Sequence, residues 1–334
     1  MEAPPLIAIT MGDPAGVGPE VIVKALATGR WLARARLIVV GDSRVIAGAA
    51  RQAGLDLVIR PCTAPPDAGS PEPGIDVLEL ANAAPETIVP GQVSAATGRA
   101  AMEAIERTVE LALLNRVAAV VTAPINKEAT HRAGYGDIGH LEYFARVTRS
   151  QEYATMLVSG RLRVVHLTTH HSLRQACELV TTDRILQRLR LTHRSFERWG
   201  LERPRIAVAA LNPHGGDGGL FGDEEATRIA PAIRAAQSEG IDAHGPHPAD
   251  SVFNRAIAAE FDVVLAMYHD QGHIPVKVHG FAESVSVALG LPFVRTSVDH
   301  GTALDIAGKN VADCRSLVAA IETALLIVEG RWLT

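Results

Sequence analysis

The sequence predicts an α/β protein built on a largely parallel sheet, and three observations carry that prediction. Short β-rich apolar runs alternate with longer stretches of helical period, the order expected of strands joined by crossover helices. Nearly all of those apolar runs lack strict alternation, so the strands are expected to be buried on both faces. With 334 residues, 47% of them hydrophobic, the chain can bury a substantial core, and one large or two intimately joined domains are expected.

The elements follow in order. Leu6–Thr10 is the first strand, and Pro19–Thr28 the first helix, opened by Pro19 in its first turn and stopped by Gly29. Leu37–Val40 is the second strand. From Pro61 to Pro90 the chain is rich in Pro, Gly, Ala and acids, which predicts irregular surface chain around one short strand near Val77–Leu80. Helical period over Ala96–Leu114 leads to a strand at Ala118–Thr122. Strands at Thr155–Val158 and Val164–Thr168 precede a long helix, Leu173–Trp199. Ile206–Ala210 is a strand, Asp223–Ser238 a helix with acids in its first turn, and Val263–Met267 and Phe293–Thr296 are strands before the last helix, Val311–Val328.

Charge and composition exclude several roles. The net charge of −5 arises from scattered acids and bases without a Lys/Arg block, and only 4% of residues are aromatic, so nucleic acid is not an expected partner. Apolar stretches are broken by Arg, Asp, Glu or Gly well short of a bilayer span, and Met1-Glu-Ala-Pro-Pro5 lacks a basic leader, so a soluble, cytoplasmic chain without membrane contact is expected. Cys62, Cys177 and Cys314 lie far apart, in neither a disulfide framework nor a zinc ribbon, so any metal takes other ligands.

Those ligands are suggested by position. Three apolar runs each lead straight into a histidine-bearing segment: Thr168-Thr-His170-His171, Asn212-Pro-His214 and Tyr268-His269-Asp270-Gln-Gly-His273. Ligand crevices in α/β sheets lie beyond the carboxyl ends of strands, so distant histidines can converge there. One such histidine alone reads as an ordinary loop residue; three read as a site. Three neutral imidazoles leave an open position on a divalent cation, which can bind a substrate hydroxyl and lower its pKa, and Asp270 can orient an imidazole. His171 and His273 are alternates for the ligands, while His247 and His279 read as structural or solvent-facing.

Met11-Gly-Asp-Pro-Ala-Gly-Val-Gly-Pro-Glu20 joins the first strand to the first helix, where backbone amides can meet an anion. It is not a dinucleotide fingerprint, since Val21 stands where the third glycine should be, and no P-loop is present. Gly215, Gly216, Gly218, Gly219 and Gly222 read as a flexible wall around His214.

With Ala123-Pro-Ile-Asn-Lys127, Gly139-His-Leu-Glu-Tyr-Phe144, Leu211-Asn-Pro-His214, Gly245-Pro-His-Pro-Ala-Asp250, Tyr268-His-Asp-Gln-Gly272 and Arg295-Thr-Ser-Val-Asp-His-Gly-Thr-Ala303, the Met11–Glu20 segment makes the chain resemble, over nearly its whole length, the 4-hydroxythreonine-4-phosphate dehydrogenases of vitamin B6 synthesis. These PdxA enzymes sit within the isocitrate/isopropylmalate dehydrogenase-like fold. The resemblance implies two α/β/α subdomains with the active-site cleft between them, here residues 1–125 plus 290–334 on the nucleotide side and 126–289 for metal, substrate and dimerisation. It implies that His170, His214 and His269 hold one divalent ion (Zn, Mg, Mn or Co), with His269 reaching in from the second subunit of a homodimer.

It also implies that His140, Lys277 and Arg295 contact a small phosphorylated substrate, with Asp250 and Asp270 lining the same cleft; Lys and Arg suit an anionic ester. Gly301, Thr302, Asp305 and Ile306 resemble the adenosine-binding loop, in which Asp-Ile marks NAD enzymes, although family members accept NADP as well. A carboxylate accepts hydrogen bonds from ribose hydroxyls and repels a 2′-phosphate. Two positions depart from the family: Leu141 stands where Thr is usual and Ser286 where Asn is usual. Both family positions touch substrate, so the pocket should read a different polar group.

The expected reaction is oxidation of the secondary alcohol of 4-phosphooxy-L-threonine, followed by decarboxylation of the β-keto product. D-threonate or D-erythronate 4-phosphate is the alternative substrate within the class. Lys277, Asp250 and a metal-bound water are the candidate bases, with Lys277 favoured. A metal-dependent lyase or hydrolase and a non-catalytic binding protein are the competing classes; NAD reduction separates them from a dehydrogenase.

Overall fold

The computed structural model describes residues 4–66, 73–137 and 139–332. The chain divides into two compact units, Met1–Ser150 with Leu291–Glu329, and Gln151–Gly290 with Gly330–Thr334.

In the first unit the order is β1 (Leu6–Thr10), α1 (Gly18–Leu26), β2 (Arg36–Gly41), α2 (Ser43–Gln52), β3 (Ile59–Cys62), β4 (Ile75–Glu79), a 3-10 turn, α3 (Ala95–Leu113), β5 (Ala119–Thr122), α4 (Lys127–Arg132) and α5 (His140–Thr148). The second unit runs β6 (Ala154–Ser159), β7 (Leu162–His166), α6 (Leu173–Leu179), α7 (Thr182–Arg198), β8 (Ile206–Ala209), α8 (Ala230–Ser238), β9 (Ala243–His247), α9 (Ala249–Ile257), β10 (Val263–Ala266), α10 (His269–Gly280) and β11 (Val285–Leu289). The chain then returns to the first unit as β12 (Val294–Val298) and α11 (Arg315–Val328).

The first unit's sheet has the order β3-β4-β2-β1-β5-β12 and is parallel throughout. The second unit's has the order β11-β6-β7-β10-β8-β9, parallel from β7 to β9, with β6 antiparallel to both its neighbours. Helix-covered parallel strands are buried on both faces: Ile7, Ile9, Ile38 and Val120 are fully buried in one unit, and Val164, Ala207 and Val264 pack with Val252, Phe253 and Val276 in the other. Among the described residues no helix is long and apolar enough to cross a membrane.

Several expectations are revised. The single helix Leu173–Trp199 is two helices, because Val180 turns extended and the Thr181 hydroxyl accepts the Arg184 amide to cap a new start. The helix expected from Asp223 begins with a π-type turn over Glu225–Ile229 before α8. Of the Pro61–Pro90 stretch, residues 67–72 lie outside the described residues, and the one expected strand is β4, beside a β3 that periodicity did not show. Helices α4 and α5 fall within the first compact unit. Gly98 of α3 explains part of this: a Cβ there would lie 2.1 Å from the Ala129 carbonyl oxygen, so α3 and α4 touch backbone to backbone.

Candidate active site

In the second unit, β7, β8 and β10 are neighbours in the order β7-β10-β8, and each delivers one histidine segment at its carboxyl end. His170 is exposed after β7, and His269 is the half-buried first residue of α10; their rings lie 6.1 Å apart between centroids. His269 Nδ1 is 2.7 Å from Asp270 Oδ1, which leaves Nε2 free of that contact. His214 is exposed, in a run of left-handed residues continuing to Gly218, and faces Asp217 at 3.5 Å rather than the other two histidines. Among the described residues no group of three His, Cys, Asp or Glu side chains is arranged to hold a metal.

The strand ends are tied to one another by groups that sequence reasoning passed over. Gln271 is buried; its Oε1 accepts the Met267 amide at 2.7 Å and its Nε2 donates to the Ala210 carbonyl at 2.7 Å, joining the ends of β10 and β8. The Thr168 hydroxyl donates to the Met267 carbonyl, joining β7 to β10. Buried Glu225 accepts the Leu211 and Asn212 amides at 2.8 Å each and the Asn212 side-chain amide at 3.0 Å, so a carboxylate anchors the loop that carries His214. The Asp-Glu-Glu run was legible as a helix start; its inward reach to a preceding strand was not.

His273 stands closer to His269 than an alternate ligand would. The two rings stack at 3.5 Å and 12°, and His273 Nδ1 lies 3.0 Å from the His269 carbonyl and 3.1 Å from Nε2 of buried His166. His171 is exposed beside His170. Lys277, two turns along α10 from His269, lies over the Phe281 ring and donates to the Ser284 hydroxyl at 3.4 Å. Ser286 lies on β11 opposite Leu157, and Asp250 is exposed in the first turn of α9.

The remaining predicted substrate contacts lie in the first unit. Arg295, on β12 beside β5, is 4% exposed, and its Nη2 donates to the Thr122 hydroxyl at 2.6 Å while its Nε is buried without a partner. Burial pushes its guanidinium down to about 9, so it stays charged at neutral pH. Phe144 lies under the guanidinium at 5.5 Å and stacks on His140, whose Nε2 is also buried and unpartnered. Burial, then the charges of Arg295 and Lys127, hold the His140 pKa well below the ordinary histidine value. Two buried nitrogens without acceptors, one on a cation, suit an anion. Leu141 follows on α5, half-buried.

Gly301, Thr302, Asp305 and Ile306 form the turns after β12. The buried Thr302 carbonyl accepts the Val17 amide at 3.0 Å, and a Cβ on Gly16 would meet the Thr302 side chain at 2.9 Å, so the Met11–Glu20 loop and the Thr302 loop lie against each other. Asp305 is exposed, and Ile306 donates its amide to the Ala303 carbonyl.

Comparison with known proteins places this arrangement. The family model of pyridoxal phosphate biosynthetic protein PdxA matches residues 33–324. The D-threonate 4-phosphate dehydrogenase of Cupriavidus necator is 46% identical over 318 residues, covering 95% of each chain. The 4-hydroxythreonine-4-phosphate dehydrogenase of Desulfosudis oleivorans is also 46% identical, over 97% of this chain and 96% of that one. A crystal structure of 4-hydroxythreonine-4-phosphate dehydrogenase from Klebsiella pneumoniae matches with a TM-score of 0.91 at 43% identity, covering 97% of this chain and 98% of the other. With the family model spanning most of the chain and relatives aligned along nearly all of it, the chain belongs to the PdxA family and is a dehydrogenase, an oxidoreductase acting on a CH–OH group.

Proposed function

We propose that this chain is an NAD-linked, metal-dependent dehydrogenase of a four-carbon hydroxy acid 4-phosphate, with D-threonate 4-phosphate preferred over 4-phosphooxy-L-threonine. The observation that carries the reading is the buried Arg295 guanidinium, bonded to a hydroxyl rather than a carboxylate, beside the unpartnered His140 Nε2. That pair suits the phosphate end of the substrate. Leu141 in place of a hydroxyl and Ser286 in place of an amide each remove polar reach at a position where the family touches substrate, which favours a substrate without the amino group.

His170, His214 and His269 would hold the cation. The fit rests on imidazole as a ligand for divalent cations and on Asp270 bonding the His269 ring. When bound, the cation would lower the pKa of the substrate hydroxyl and the nicotinamide would take up the hydride. Lys277 would accept the hydroxyl proton, and Asp270 would keep His269 aimed. Asp305 would receive the ribose hydroxyls, which favours NAD over NADP. The β-keto acid product would lose carbon dioxide.

A homodimer with a shared site accompanies this reading. Ile274 and Val278 of α10, the helix that begins at His269, and Phe281 just past its end are spaced as one stripe and are 58, 82 and 75% exposed. Exposed Leu220 and Phe221 extend from the His214 loop. Apolar surface of this kind calls for a covering partner, and a second copy would supply the third imidazole.

The test is NAD reduction with a panel of four-carbon acids and added zinc, magnesium, manganese or cobalt. D-threonate 4-phosphate should be oxidised best, and unphosphorylated D-threonate should be poorer by about 10⁴-fold in kcat/KM, because the buried cation is then left unpaired. Failure to oxidise any phosphorylated member sinks the reading.

A further inference from the structure

A second guanidinium carries the same signature as Arg295, far from it in sequence and in the other unit. Arg188, on α7, lines a cavity of about 210 Å³ together with Arg184, Gln187, Gln151, Tyr153 and Leu167. Its Nη1 donates to the Tyr153 carbonyl at 2.8 Å, and its Nε is buried without a partner. Among the described residues no carboxylate is hydrogen-bonded to it: Glu152, which also lines the cavity, bonds Arg194 and acts on Arg188 only through its charge. Burial, reinforced by the like charge of Arg184, pushes the Arg188 guanidinium down to about 10.

Taking an ion out of water costs several kcal/mol, and a fold that keeps it there without a hydrogen-bonded counter-ion calls for an explanation. The surroundings supply one. Arg184 stands one helical turn before Arg188, so two guanidinium groups and the side-chain amides of Gln187 and Gln151 border one small polar cavity. The one carboxylate on that lining, Glu152, is already bonded to Arg194, and guanidinium groups match the paired oxygens of an oxyanion. We propose that this cavity is a binding site for a small oxyanion, a phosphate ion or the phosphate of a small ester, held by Arg188 with Arg184 closing over it. The site is distinct from the Arg295 pocket and stands on its own observation; its wall at Leu167 continues directly into Thr168 and His170.

Phosphate-dependent thermal stability at constant ionic strength tests it, because a ligand of the native state raises Tm by mass action. The measurement is made on Arg295→Met, in which the proposed substrate pocket no longer contributes. Inorganic phosphate should still raise Tm saturably in Arg295→Met, and adding Arg188→Met should weaken the apparent Kd at least tenfold or abolish the rise. Without phosphate, Arg188→Met should be no less stable than its parent, since an unpaired buried charge has gone. If Arg188→Met does not fold, Arg184→Gln in the same background gives the same reading.

A rise abolished by Arg295→Met alone overturns the cavity site while leaving the proposed substrate pocket standing. A rise that survives Arg188→Met undiminished also overturns it. Glycerol 3-phosphate serves as the second probe: a response to both compounds supports an ester as occupant, and a response to inorganic phosphate alone supports the free ion.

Discussion

Replacing Gln271 by Leu tests whether the strand ends beneath the histidines are held by this one side chain. Gln271 has two buried hydrogen bonds of 2.7 Å, from the Met267 amide and to the Ala210 carbonyl, 61 residues away. Leucine has nearly the same volume, so no cavity forms, but both backbone groups lose their partners. Each unsatisfied buried group costs about 1–3 kcal/mol, giving about 2–6 kcal/mol together. Burial of the new apolar side chain returns about 1–2 kcal/mol. The net loss should be about 1–4 kcal/mol, measured as a lowered urea midpoint with an unchanged slope.

Gln271→Glu sharpens the test. Its carboxylate can still accept from Met267 but opposes the Ala210 carbonyl, so its folded-state pKa must rise above the unfolded value of about 4.3. A raised pKa means that stability is retained below the unfolded pKa, where the protonated carboxyl can donate to Ala210, and is lost as pH rises through the folded pKa. The gap to the parent should therefore widen from pH 5 to pH 8. A Gln271→Leu protein within about 0.5 kcal/mol of the parent, the scatter of ordinary surface changes, would refute the bridging role.

Three further outcomes follow from the same geometry. Gly98→Ala should lower Tm: a Cβ 2.1 Å from the Ala129 oxygen forces α3 and α4 apart at about 1–3 kcal/mol, more than the roughly 1 kcal/mol that alanine returns as a helix former, and an unchanged or raised Tm contradicts the contact. Glu225→Gln should cost about 1–3 kcal/mol and speed hydrogen exchange at the Leu211 and Asn212 amides, since a charged acceptor of both is replaced by one with a single carbonyl oxygen; unaltered exchange at those amides speaks against the anchor. Because burial depresses the His140 pKa, folding is favoured above the unfolded histidine value and weakens as pH falls below about 6.5, by at most about 1.4 kcal/mol per pH unit. His140→Gln should flatten that slope, and an identical slope would place the titration elsewhere.

Much of the fold was legible because it is written in local chemistry. Strand β1 spans Leu6–Thr10 as expected, and α1 starts and stops within three residues of its Pro19 and Gly29 signals. Other elements were hidden by competing local signals. Helix α10 holds Pro275 and a mixed run of polar residues, and its start is secured by Gln271 rather than by periodicity. The cap at Thr181 was present in the sequence, but the apolar period of α6 and α7 ran across it. Helix α2 follows the Asp42 cap, whose carboxylate accepts the Arg44 amide, in the stretch between β2 and Pro61.

The sequence by itself determined the residue types and their places: histidines at the ends of three strands, an arginine on β12, an acid in the turns that follow it. Tertiary structure alone decided which buried groups find partners. It set Thr122 against Arg295 across 173 residues, Gln271 against Ala210, Glu225 against the loop before His214, and it left the Arg188 Nε buried without a hydrogen-bond partner. The reason is physical. Periodicity, capping and turn chemistry act over a few residues, whereas the desolvation of a charge is compensated by whatever the sheet order brings beside it, which no short window of sequence contains.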